Sequence, residues 1–316
     1  DRLKELLDIP VFHDDQHGTA IIAAAGLINA THLTDRTMQQ IKVVVNGAGA
    51  AAIACIELLK SMGVKHDNVT LCDSQGVIYE GRTSGMNKWK AAHAIDTKNR
   101  TLEEALKGAD VFLGLSVKGV VTKKMISQMA AKPIIFAMAN PDPEITPEEV
   151  LEVFPDAIVA TGRSDYNNQI NNVMGFPYIF RGALDVRART INEEMKKAAA
   201  HALAKLARQA VPNEVSSAYS GRKMRYGPDY IIPVPFDPRL ITVVPIAVAK
   251  AAIESGVARI TNMDFEKYAA ELESRLNPTS RHMNLVFTKA KNHCKKIVLA
   301  EGEEEETIKA AILMRD

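Results

Sequence analysis

Residues Ile41 to Ala52 read IKVVVNGAGAAA, and few folds accommodate such a stretch. A β-branched apolar run (Ile41, Val43, Val44, Val45) ends in Gly47-Ala48-Gly49, and helix-compatible residues follow at once. A parallel strand buried on both faces, a glycine turn and an apolar helix have this form. Gly47 permits the tight turn, Gly49 leaves the backbone open to a pyrophosphate, and Ala52 lets helix pack closely on strand. The N–H groups that open the helix, Ala50 among them, and the helix dipole would then hold phosphates at Gly47, Ala48, Gly49 and Ala50. A second strand, Val69–Asp73, ends in an acid 21 positions after Ala52, where a ribose-binding carboxylate is expected about 20 residues on. The pattern predicts dinucleotide binding, with Asp73 on the ribose. The competing reading is a glycine turn that merely joins strand to helix.

Strand and helix alternate from 41 to 161. Expected helices are 50–62, 101–108, 122–130 and 146–153, and expected strands are 110–115, 133–139 and 157–161. This alternation gives an α/β fold, a doubly wound Rossmann-like parallel sheet. Strand 133–139 runs into Asn140-Pro141-Asp142-Pro143, a rigid loop at the carboxyl edge where such sheets bind ligands. Residues 75–100 read as a loop with a short helix. Arg82, Lys88 and Lys90 there suit solvated surface charge, with contact to a cofactor phosphate as the alternative.

Upstream, IPVFHDDQHGTA (9–20) leads into a nearly all-apolar helix, 18–33, which must be buried. Asp14 and Asp15 have three readings. They could cap that helix. They could hold a hard divalent cation such as Mg²⁺ or Mn²⁺ through oxygen, which would offset the cost of carboxylates entering a buried helix. With His13 and His17, four apart, the pair could instead suggest zinc. Residues 162–186 carry Asn167, Asn168, Asn171 and Asn172. These are turn residues by default, but a buried amide can also donate to a carboxylate and accept from a hydroxyl, as a hydroxy acid requires. Long helices are expected at 187–211, 240–255 and 264–276, with a proline-rich extended segment between the first two. Residues 277–294 read as a linker. A new strand, 295–300, and a helix with an acidic start then suggest the truncated opening of a second α/β domain.

Composition narrows the functional class. A chain of 316 residues with 47% apolar and 24% charged residues is ordinary for globular proteins, and a net charge of +1 gives no case for nucleic acid or acidic membranes. Cys55, Cys72 and Cys294 form no spaced framework, which predicts a reducing, cytoplasmic setting. No apolar run approaches the roughly 20 residues of a membrane span. The first residues, DRLKELLD, lack an initiator methionine, and the last lie inside a helical pattern, so a section of a longer protein is expected.

FHDDQHGTA, NGAGAAA, ANPDPEI, NNQINN with FPYIFRGALD, and YIIPVPFDPRLI together resemble the malic enzymes, particularly the bacterial form, over about residues 9–276. KKIVLAEGEEEETIKAAI (295–312) resembles the start of the phosphate acetyltransferase domain that bacterial hybrid malic enzymes carry, although Ala300 replaces that family's usual proline. The resemblance implies NADP- or NAD-dependent oxidation and decarboxylation of malate to pyruvate, with Mg²⁺ or Mn²⁺. It implies a homo-oligomer, and acetyl-CoA regulation through the second domain. By resemblance, Asp15 is a metal ligand and Asp14 orients the catalytic lysine, with the reverse register open. Asn140 contacts the nicotinamide ribose or substrate, Asn172 with Asn171 contacts the substrate carboxylate, and Ser116 lies at the cofactor. The family's catalytic tyrosine and lysine and its Glu-Asp metal pair belong to an amino-terminal domain with no match here, so the section alone is expected to be inactive.

Physically, Asp73 favours NAD, because its charge repels a 2′-phosphate; by resemblance, NADP-using members of the group also carry an acid there. Two other readings compete. An amino-acid dehydrogenase with a similar cofactor domain would need no metal. A regulatory module would sense nucleotide or acyl-CoA and turn over nothing.

Overall fold

The computed structural model describes residues 2–219 and 224–276 and, further on, 298–300, 302–304, 307–308 and 311. It divides into two compact units, 1–268 and 269–316.

The first unit opens with α1 (Arg2–Leu6), a five-residue π-helical turn at Asp14–Gly18, and α2 (Thr19–Leu33). The nucleotide-binding core follows as β1 (Val43–Asn46), α3 (Ala50–Ser61), β2 (Val69–Asp73), β3 (Gly76–Val77), α4 (Lys88–Ala91), α5 (Leu102–Leu106), β4 (Val111–Gly114), α6 (Lys123–Ile126), β5 (Ile134–Ala137), α7 (Pro147–Val153) and β6 (Ile158–Thr161). A 3-10 turn at Asn172–Met174 leads to α8 (Phe176–Asp185), α9 (Glu193–Ala207), α10 (Asn213–Ala218), α11 (Leu240–Glu254) and α12 (Phe265–Leu276).

The six strands form one sheet in the order β3-β2-β1-β4-β5-β6. All neighbours are parallel except β3, an antiparallel edge strand. Val43 stands beside both Val69 and Val111, so β1 is the strand at which the winding reverses. The Rossmann-like sheet is therefore as the alternation predicts. β1, β4 and β5 are buried along their whole length, which is why they read as unbroken apolar runs.

Capping sets several boundaries. Thr101 with Glu104, and Thr146 with Glu149, make reciprocal capping boxes at α5 and α7. Asn192 caps α9, so the long helix expected from 187 begins only at Glu193. The helix expected over 122–130 stops after Ile126.

α2 is buried on nearly every face and packs against α3 and α9. Within it Asn29 is fully buried and fully bonded. Its Nδ2 donates to the Ala204 carbonyl (2.9 Å) and the Ile231 carbonyl (2.7 Å), and its Oδ1 accepts from Arg208 Nε (2.7 Å). One side chain thereby ties α2, α9 and the proline-rich segment together. No described helix is long and apolar enough to cross a membrane.

The linker expected at 277–294 lies outside the described residues. Of the strand expected over 295–300, Val298–Ala300 are described and form no strand. Thr307, Ile308 and Ala311 are helical, with the Ile308 N–H donating to the Glu304 carbonyl; Glu305 and Glu306 of the acidic run lie outside the described residues.

Candidate functional site

The crevice is built from the carboxyl ends of the strands. Gly47 has φ of +108°, and a Cβ there would lie 2.2 Å from the Leu115 carbonyl oxygen, so only glycine fits where the β1 turn passes the end of β4. Gly49 precedes α3, a Cβ added to it would meet nothing within 4 Å, and no side chain caps the helix. The exposed first turn at Gly49 and Ala50 thus presents uncapped N–H groups, as an anion site requires.

Asp73 ends β2 on one side of this turn. Arg82 Nη2 donates to both of its oxygens (2.8 and 2.9 Å), and Lys90 Nζ to Oδ2 (2.7 Å). Their side chains are only 5% (Arg82) and 17% (Lys90) exposed, which corrects the expectation of solvated surface charge for these two. Lys88 instead lies over the Trp89 ring, 4.6 Å from its centroid. Burial pushes the Asp73 carboxyl up, but hydrogen bonds from Lys90, Arg82 and the Gln75 N–H outweigh it and hold the group below the usual carboxylate range. Two cations thus meet the one carboxylate of Asp73.

On the other side the loops after β4 and β5 meet. Asn46 Nδ2 donates to Ser116 Oγ (2.8 Å), and Ser116 Oγ donates in turn to Glu144 Oε1 (3.0 Å). Asn140 is exposed beside them, joined to Pro141 by a cis peptide.

The aspartate pair lies in the π-helical turn before α2. Neither His13 nor Gly18 makes a side-chain cap, and Asp14 and Asp15 lie in the first turn, where their charge suits the helix start but neither makes a side-chain cap. Interruptions of this type in a helix are frequent at functional sites. Phe12 packs edge-on against Phe180 (centroids 5.7 Å apart) and near Phe176 (6.4 Å), which seats the turn against α8. Asn172 Nδ2, at the entry to α8, then donates to Asp14 Oδ2 at 2.6 Å. Asp14 Oδ1 is buried with no partner among the described residues. Burial, and secondarily the adjacent Asp15, raises the Asp14 carboxyl above its ordinary range. Asp15 is exposed. Among the described residues no three His, Cys, Asp or Glu side chains converge on one point. His17, in the same turn, is pushed down to about 4 by burial, then by Lys196 and Lys4, and so stays neutral.

The other asparagines of this stretch make bonds within the fold. Asn168 adopts φ of +53° and bonds Val159, Pro228 and Ile231. Asn167 meets Asp229. Asn171, expected near the substrate with Asn172, accepts the Val173 N–H at 3.0 Å and caps the 3-10 turn. Cys55 and Cys72 are buried thiols pushed up to about 12, which removes them as nucleophiles.

A cavity of about 470 Å³ joins the two halves, with Gln16 and His17 of the π-turn, Ala48, Gly49 and Ala50 of the glycine turn, and Trp89 in its wall. The turn that carries the orphaned Asp14 oxygen therefore lines, through Gln16 and His17, the same cavity as a nucleotide-type helix start. That oxygen calls for a cation or a donor that these residues do not supply.

The malic enzyme NAD-binding domain model matches residues 16–219. The chain belongs to that family. It is 70% identical to a probable NADP-dependent malic enzyme of Rickettsia prowazekii, over 100% of this chain and 41% of the relative. It is 62% identical to an NADP-dependent malic enzyme of Rhizobium meliloti, over 98% of this chain and 41% of that protein. The crystal structure of Entamoeba histolytica malic enzyme superposes with a TM-score of 0.76 at 33% identity, covering 99% of this chain and 62% of that one. The chain thus spans about two fifths of the length of these curated malic enzyme relatives.

Proposed function

We propose that the full-length protein oxidises malate and decarboxylates it to pyruvate and CO₂, reducing NADP in a divalent-metal-dependent reaction. The observation that carries this reading is the half-satisfied Asp14 carboxylate beside the dinucleotide crevice. A carboxylate pair of this kind suits a hard, oxygen-seeking ion, and the buried oxygen suits an ammonium or that ion. Asp15 would hold Mg²⁺ or Mn²⁺, and Asp14 would receive the catalytic lysine. Asn172 fixes Asp14 through Nδ2, and its carbonyl is suited to accept from a substrate hydroxyl. When bound, the cation supplies Lewis acidity at the substrate's 2-oxygen, where charge develops as CO₂ leaves. The Gly47–Ala50 turn would hold the pyrophosphate through the N–H groups of Ala48, Gly49 and Ala50, that of Gly47 being given to the Cys72 carbonyl, and Asn140 would meet the nicotinamide ribose. NADP is favoured over NAD because Asp73 is already neutralised by Arg82 and Lys90, which leaves a positive charge for a 2′-phosphate.

Oligomer formation, a cytoplasmic setting, and acetyl-CoA regulation through the carboxyl-terminal segment complete the proposal; the last rests on the resemblance of residues 295–312 alone. The test is malate-dependent reduction of NADP⁺ and of NAD⁺ by the full-length protein, with Mn²⁺ or with EDTA, following pyruvate. Pyruvate formed with NADP⁺ and abolished by EDTA is the expected result. Metal-independent turnover would favour an amino-acid-dehydrogenase-like enzyme. Nucleotide binding with no turnover in any divalent ion would leave a sensing module.

A further inference from the structure

Glu144 follows the second proline of the 140–143 loop and is completely buried. Its Oε1 accepts from the Ser116 N–H (2.8 Å) and Ser116 Oγ (3.0 Å), and its Oε2 accepts from the Ala139 N–H (3.0 Å). Its partners are thus hydrogen-bond donors from two different loops, two of them backbone. Gly114 makes room for it, since a Cβ there would lie 2.4 Å from the Glu144 carboxyl carbon. Backbone bonds from Gly119 to Pro143 and from Val121 to Glu144 run alongside.

A buried carboxylate is costly, and an apolar side chain would fill the same space without that cost. What the carboxylate adds is a fixed distance between the ends of β4 and β5. Asp73 marks the adenosine side of the crevice at β2, so the second nucleotide of a bound dinucleotide crosses toward β4 and β5. We propose that Glu144 is a positioning residue: it sets the separation of the two loops that flank the nicotinamide end of the coenzyme. This rests on the dinucleotide-binding reading above.

Glu144→Gln keeps the volume but turns an NH₂ toward one backbone N–H, whichever way the amide is oriented, so one loop loses its acceptor. In the full-length protein, NADPH binding is compared with binding of adenosine 2′,5′-bisphosphate, which lacks the nicotinamide. The expected result is NADPH weakened about tenfold or more, with the fragment within about twofold of wild type. Equal weakening of both ligands, or no change in either, overturns the proposal. Should Glu144→Gln fail to fold, Ser116→Ala decides. It removes the hydroxyl link to Glu144, together with the acceptor for Asn46 Nδ2, and leaves both backbone bonds to Glu144 in place; the NADPH-to-fragment affinity ratio is expected to fall about threefold, and an unchanged ratio overturns the proposal. Wild-type protein that binds neither ligand sinks the dinucleotide reading itself, a result distinct from selective failure of the clamp.

Discussion

The two ends of the crevice treat a half-buried aspartate in opposite ways. At the β2 end both oxygens of Asp73 are met by Arg82 and Lys90 from the same chain. At the other end Asp14 receives Asn172 on one oxygen and, among the described residues, nothing on the other. A fully paired carboxylate is a finished structural unit, while a half-paired one is stable only as long as something else completes it. On the proposed reading, recognition of the nucleotide would be self-contained in these residues, whereas the chemistry would draw on a further group at Asp14.

The sharpest way to break that division is at Asp15. Asp15→Asn in the full-length protein should lower malate turnover on the order of a hundredfold or more, while NADPH binding stays near wild type; parallel loss of both, read by turnover and by fluorescence titration, would mean that the ends are not separable. Next in size is Lys90→Gln. Removing the ammonium should raise the KM for NADP⁺ about tenfold and leave NAD⁺ within about twofold. Equal effects on the two coenzymes would assign Lys90 to holding Asp73 alone.

A smaller effect tests whether the scaffold can be weakened without shifting either end. Asn29→Ala strands two carbonyls and the Arg208 guanidinium, and should cost about 3 kcal/mol in urea unfolding with coenzyme preference unchanged. The smallest concerns pH. Because the folded Asp73 carboxyl is held below its unfolded value, the stability it contributes is present above the ordinary carboxylate range and lost as pH falls through the lowered value. Asp73→Asn should therefore melt below wild type at neutral pH, and the gap should close in strong acid. A gap that persists there would show that the pairs are not the origin of the effect.

The sheet was legible because its signals are local. Val43–Val45, Val111–Leu113 and Ile134–Phe136 announce buried strands, and Thr146-Pro147 with Glu149 announces a helix start. β3 escaped notice because two residues carry no periodicity. The site was legible in part. The glycine turn is a short-range pattern, and the aspartates stand out by their company. Glu144, Asn29 and the pairing of Asp73 did not stand out, since their partners are backbone groups or charges distant in sequence. For Glu144 the only hint is an acid placed just after two prolines at a strand end. The asparagines show the same limit: composition cannot tell Asn171, which caps a turn, from its neighbour Asn172, which meets Asp14 from 158 positions away.

Arg82 and Lys90 both belong to the excursion between β2 and α5, on the antiparallel edge of the sheet and outside the β1–β4–β5 core. Side chains on that excursion can be exchanged without disturbing a core strand or the Asp14 turn. On the proposed role of Arg82 and Lys90, coenzyme preference would be free to drift between lineages while the Asp14 turn stays put, and an engineer would redirect it from one electron pool to another by rewriting a single peripheral segment.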